Sequence, residues 1–233
     1  MARFTAVYAD FSQRLFEVDV LRKQAAKLER SRQSFRHGPE ISALCRGAVV
    51  LLSSHIEAYV KELGEHTLDS LHSKSVCRSK LAPQFFYHIS QEAIGSIRDA
   101  SQPAMIAQHI QSFVNIEAPF WDSLNPLPAP IPSERFNRGF SNPSFDKVKA
   151  YFGRFGYNDF RRDFFRQLNG DAHTIITNLN HIVETRNSIA HGDQSATKTP
   201  LEVNSMAETA RIFCRTTDTI FGAWCKDTLC SIR

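Results

Sequence analysis

Apolar side chains recur along most of this chain at helical spacing. From Phe4 to Arg36 helix breakers are few, and Val7, Phe11, Leu15, Val18 and Leu21 return at three- and four-residue steps, which predicts an opening helix. Its second half, Arg22 to Arg36, is strongly basic: either a face that tracks a phosphate backbone or one that simply meets water. Gly38-Pro39 breaks the pattern, and Glu40 to about His72 reads as the longest helix. Ala48, Val49, Val50, Leu51, Leu52, Ile56 and Val60 make it apolar on most sides, so it belongs in the middle of a bundle. At about 100° per residue, Arg46, Ser53 and Glu57 fall within about 20° of one another, a narrow polar stripe on that rod. Either the stripe marks where the helix meets solvent, or it faces another helix and holds a functional group in position.

Further helices are predicted at Ala82 to Ala100 and Ala104 to Asn115, after which Pro119 to Pro132 carries five prolines in fourteen residues. With Asn137 to Pro143 this makes residues 119–143 a long irregular insertion, a connection or lid between two halves of the chain. Phe145 to Gly153 and Asn158 to Leu168 read as short helices in which Arg154, Arg161, Arg162 and Arg166 alternate with Phe155, Phe160, Phe164 and Phe165. Such interleaving suits single-stranded nucleic acid, with Arg161, Arg162 and Arg166 as RNA-binding candidates, and it suits an amphipathic core helix as well. A helix then runs from Asp171 to about Ala190 on the row Ile175, Leu179, Ile182; Pro200 opens a last helix that ends near Cys230.

Composition narrows the class. With 233 residues, 42% apolar side chains and 18 Phe, the chain can bury a sizeable core as one domain, residues 1–233, with the opening helix at 1–36 and the insertion at 119–143. A net charge of +4, spread along the chain, allows an anionic partner without demanding one. The start, Met1-Ala2-Arg3-Phe4, lacks an apolar signal region, and no window is read as approaching the ~18 apolar residues of a membrane span, so a cytoplasmic protein without membrane contact is expected. The 5 cysteines form no C-x-x-C pair, which argues against a disulfide framework and a zinc ribbon. Glu62 and His66 stand four apart but have no further convergent ligands, so no metal or other cofactor is expected.

One segment is chemically distinctive. Continuing the row Ile175, Leu179, Ile182 by a turn lands on Arg186, which puts a guanidinium on a core-facing stripe and calls for an anionic partner: a carboxylate such as Glu57, or a ligand phosphate. Asn187 follows, and His191 lies four residues beyond it on the same helix edge, with Gly192 as a C-cap. An imidazole in a last helical turn can take and give a proton near neutral pH. RNA cleavage fits these groups, because the ribose 2′-hydroxyl supplies the nucleophile. The histidine would move protons and the arginine would stabilise charge on the phosphate. One histidine per chain leaves acid and base roles to be shared across a two-fold axis.

Arg186-Asn187-Ser188-Ile189-Ala190-His191-Gly192 resembles the R-N-x-x-x-H signature of the HEPN superfamily. The run from Arg46 to Tyr59 looks like the long second helix of its RiboL-PSP-type branch, and Asn142-Pro143-Ser144-Phe145-Asp146 with Phe155-Gly156-Tyr157 is similar to that branch's middle segment. The resemblance covers roughly Arg46 to the final helix and leaves the opening helix without a match. It implies an all-α helical bundle of the HEPN type, with a Pro-rich insertion and extra short helices, that dimerises so that two motifs face one cleft. Active members are metal-independent endoribonucleases, many of them toxins or parts of phage-defence systems, so an antitoxin or defence-system partner is expected. Carried over, Arg186 would bind the scissile phosphate, Asn187 would orient it or the imidazole, and His191 would act as acid or base, with Glu57 and Arg46 in support. Two other readings stand beside this one: a non-catalytic HEPN module for dimerisation or nucleotide binding, and a partner-binding protein in which Arg186 closes a buried ion pair with Glu57.

Overall fold

Thr5 begins the first helix, its hydroxyl accepting the Tyr8 amide hydrogen at 3.2 Å, and α1 (Ala6–Glu29) follows. Val7, Phe11, Leu15 and Val18 are buried, as their spacing predicts. In the computed structural model, which describes residues 4–32, 34–122 and 124–233, α1 ends well before Arg36. The reason is burial: residues 30–36 offer one large apolar side chain, Phe35, and it is 77% exposed. Arg22 and Lys23, in the basic half, both pair with Asp19. Met1, Ala2 and Arg3, weighed above as an export signal, lie outside the described residues, as do Gln33 and Ser123.

α2 (Gly38–Ser73) is the central rod, packed against α1, α10 (Ala172–Ala190) and α11 (Pro200–Thr228). The expectation that no segment is apolar enough to span a bilayer is corrected here, because α2 passes that test by length and composition. Its apolar positions are occupied otherwise: Ala48, Val49, Leu52, Ile56, Tyr59, Val60 and Leu63 are wholly buried in the bundle. The Tyr59 hydroxyl donates to the Cys214 carbonyl at 2.9 Å, which satisfies the one polar atom that this ring takes inside. Glu62 and His66 have separate partners, Arg14 and the Ile232 carbonyl. All five cysteines are free.

Between α2 and α10 the chain builds an outer layer: α3 (Pro83–Ile89), α4 (Gln91–Asp99), α5 (Pro103–Ile116), α6 (Ala118–Trp121), α7 (Ser133–Asn137), α8 (Phe145–Gly153) and α9 (Phe160–Leu168). The single helix expected over 82–100 is two, because Ser90 is buried and its hydroxyl is drawn off to Glu117 at 2.9 Å while accepting from the Trp121 indole at 3.0 Å. The insertion carries most of α6 and all of α7 and is anchored to the bundle. Leu127, Ile131, Phe136 and Phe140 are buried, and the buried Arg78 donates to the Asn125 and Pro119 carbonyls and to Asp122. In α8 and α9 the core alternative holds: Phe145, Phe152, Phe160 and Phe164 are buried, with Phe152 only 4.3 Å from Phe221 of α11. Those rings are not free to stack on bases.

Candidate functional site

The chemistry-bearing segment is the C-terminal end of α10. Ile175, Leu179 and Ile182 bury one row of this helix against the bundle and so fix its rotation. The helix is closed by a Schellman motif: the Gly192 amide donates to the Ile189 carbonyl at 3.1 Å and the Asp193 amide to the Ser188 carbonyl at 3.0 Å. Gly192 has φ +83°, a left-handed conformation in which any Cβ is strained. The capping residue is therefore His191 itself, one position before the Gly192 that was expected, and its side chain is exposed.

Beyond His191 the chain is gripped from α2. Arg46 Nη1 donates to the Asp193 carbonyl at 2.6 Å, and Asp193 Oδ1 accepts from the Ser195 amide and hydroxyl at 2.8 and 2.7 Å. Those Ser195 bonds hold the Asp193 carboxyl below its ordinary range. Thr199 and Glu202 then form a capping box, with Pro200 at the first turn of α11. A loop that begins at the imidazole is thus tied at both ends and once in the middle.

Arg186 does not sit in the core. The row turns toward the surface at the end of α10, and Arg186 and Asn187 are both half-buried. Of the two partners weighed for Arg186, a carboxylate such as Glu57 or a ligand phosphate, the first is not met: no ion pair joins Arg186 to Glu57. Arg186 Nη1 donates instead to two amide oxygens, Asn142 Oδ1 at 3.0 Å and Asn187 Oδ1 at 3.2 Å. Glu57 is occupied by Lys61 at 2.6 Å and by the Asn142 backbone amide at 3.2 Å. Asn142 therefore stands between the carboxylate and the guanidinium. Of the polar stripe on α2, Arg46 bonds the loop that follows the motif, Glu57 bonds Asn142 of the insertion, and Ser53 is buried.

The structure brings Arg186, Asn187, His191, Arg46 and Glu57 to one end of the bundle, and leaves Arg161, Arg162 and Arg166 elsewhere. These three lie on α9, which leads into the opposite end of α10: Phe165 of α9 meets His173 at 4.7 Å. Since α10 has 19 residues, the two ends are about 28 Å apart. Arg162 and Arg166 are paired with Asp159 and Asp163, and Arg161 lies 5.3 Å over the Phe165 ring. In one chain they do not share a site with the motif. Asn142 is the contributor that motif spacing missed. Its one local signal was the Asn-Pro dipeptide in the insertion, which marks a turn or loop but neither the left-handed backbone of Asn142 nor what its side chain touches.

A guanidinium held by amide oxygens can bind a phosphate, and an exposed imidazole on the same helix end can take or give a proton. A family model for the RiboL-PSP-HEPN domain matches residues 14–223. It therefore reaches into the opening helix, which the motif resemblance alone had left unmatched. No curated protein and no solved structure matches the chain.

Proposed function

Because the chain belongs to the RiboL-PSP-HEPN family, we propose that it is a metal-independent endoribonuclease acting on RNA as a homodimer. The observation that carries this reading is the state of Arg186: half-buried, held by two amide oxygens, and without an ion pair among the described residues. A fully buried arginine would need a carboxylate to neutralise it. This one keeps its charge available at the surface, five residues from an exposed His191.

In the proposed reaction the ribose 2′-oxygen attacks phosphorus and loses its proton to one imidazole. The bond to the 5′-oxygen breaks, and that oxygen takes a proton from the other imidazole. A 2′,3′-cyclic phosphate and a 5′-hydroxyl result. Arg186 neutralises the charge that grows on the non-bridging oxygens, and Asn187 keeps Arg186 aimed. Two copies around a two-fold axis supply both imidazoles. A toxin or phage-defence setting, with an antitoxin or defence-system partner and a cytoplasmic location, belongs to the same proposal.

Purified protein should cleave single-stranded RNA in EDTA, and His191→Ala should slow cleavage by roughly 100-fold or more while the dimer survives in sedimentation. Wild-type protein that binds RNA but leaves it intact would favour the other HEPN role, a non-catalytic nucleic-acid or nucleotide-binding module, for which the same available guanidinium suffices. Growth arrest on expression, relieved by His191→Ala, tests the toxin setting.

A further inference from the structure

We infer that Asn142 is a positioning residue that aims the Arg186 guanidinium at its phosphate, and that Glu57 acts on the site only through Asn142. The inference rests on the nuclease reading above and deepens it.

Four observations converge on this residue. Asn142 has φ +54°, a conformation uncommon for any residue with a Cβ and one that persists where surrounding contacts over-determine it. Its backbone amide donates to Glu57 Oε2 at 3.2 Å. Its side-chain oxygen accepts from Arg186 Nη1 at 3.0 Å. Immediately after it, Pro143 is buried and the Phe145 amide donates to Asn180 Oδ1 at 3.1 Å, which clamps the strained turn against the helix that carries Arg186. Lys61 holds the other Glu57 oxygen at 2.6 Å.

The chemistry of the contact explains the choice of an amide. A carboxylate 3 Å from the guanidinium would neutralise it and compete with phosphate, while no acceptor at all would leave a long side chain free among its rotamers. An amide oxygen orients the fork without cancelling its charge. It also lets Glu57 add order at the site while Asn142 stands between its charge and Arg186.

Two substitutions separate positioning from folding. Asn142→Gly keeps the left-handed turn and deletes the side chain. Asn142→Asp keeps the shape and puts a charge on Arg186. Cleavage kinetics would be measured on a single-stranded RNA, affinity on the same oligonucleotide with 2′-deoxy sugars, and folding by thermal unfolding. Asn142→Gly should melt within about 4 °C of wild type yet lose roughly tenfold in kcat/KM. Asn142→Asp should be at least as stable, yet bind the deoxy oligonucleotide roughly tenfold more weakly. If both variants match wild type in kcat/KM and affinity, whatever their melting temperatures, the positioning role is overturned and the nuclease reading stands. If wild type cleaves nothing, the nuclease reading falls by itself, and unchanged oligonucleotide affinity in Asn142→Gly and Asn142→Asp would still overturn Asn142 as the residue that positions Arg186 for a phosphate.

Discussion

Gly192 is where backbone conformation and chemistry meet most closely. With φ +83° it closes α10 directly after His191, and a Cβ there would meet no neighbouring atom, so any penalty for alanine is conformational. Gly192→Ala should cost about 1 kcal/mol, read as a lower urea midpoint, and Gly192→Asn should recover part of it because Asn tolerates the left-handed region. Equal stability of all three proteins would show that the Schellman closure is not what holds the end of α10. This feature was legible in the sequence, since a glycine after the last periodic residue is a local signal. Asn142 was not. Its three roles, an amide to α2, a side chain to α10 and a left-handed turn, depend on residues that are far away in the chain.

Among the elements, the approach of α8 to α2 is set by one missing side chain. A Cβ on Gly64 would lie 2.0 Å from the Tyr151 hydroxyl, which donates to Asn137 Oδ1 at 2.6 Å beneath the insertion. A helix interior ordinarily prefers alanine, and at Gly95 of α4, where a Cβ meets nothing, Gly95→Ala should stabilise by about 0.5–1 kcal/mol. Gly64→Ala should do the opposite and destabilise by about 1–3 kcal/mol through overpacking, with partial loss of activity, because α7 and α8 flank the turn that holds Asn142. Paired thermal melts check both signs, and a stabilised Gly64→Ala protein would mean that Tyr151 has another place to go. Helix positions were mostly readable from periodicity, α8 to the residue. The break at Ser90 was not, since it follows from a bond to Glu117 that no local pattern announces.

For the whole molecule the deciding group is Asp218, fully buried on α11, where it joins the two chain ends. It accepts from the Thr5 amide at 3.2 Å and from the Thr5 hydroxyl, and the Arg233 guanidinium lies 4.0 Å away. Burial pushes its carboxyl above the ordinary range, against the opposing pull of the Thr5 bonds and Arg233. A raised acid binds its proton more readily folded than unfolded. Its contribution therefore falls as pH rises from the ordinary carboxylate value through the raised one, and is lowest above both. Asp218→Asn removes that ionisation. The variant's melting temperature, relative to wild type, should rise between pH 4 and neutrality, and a difference that is constant with pH would refute the assignment. Groups such as Glu202, whose carboxyl is lowered by the Thr199 cap, act in the opposite sense but cancel in the comparison.

By itself the sequence determined what acts over a few residues: the helical rows, the caps, the loop at the prolines, and the order Arg186, Asn187, His191 at a helix end. Packing decided what those groups touch. Arg46 reaches Asp193 across 147 positions, Glu57 reaches Asn142 across 85, and Arg186 reaches Asn142 across 44. Periodicity states which face of a helix is buried, while the partner across that face depends on how every helix docks. That is why the sequence could leave Glu57 open as a partner of Arg186, whereas in the fold the Asn142 amide lies between them.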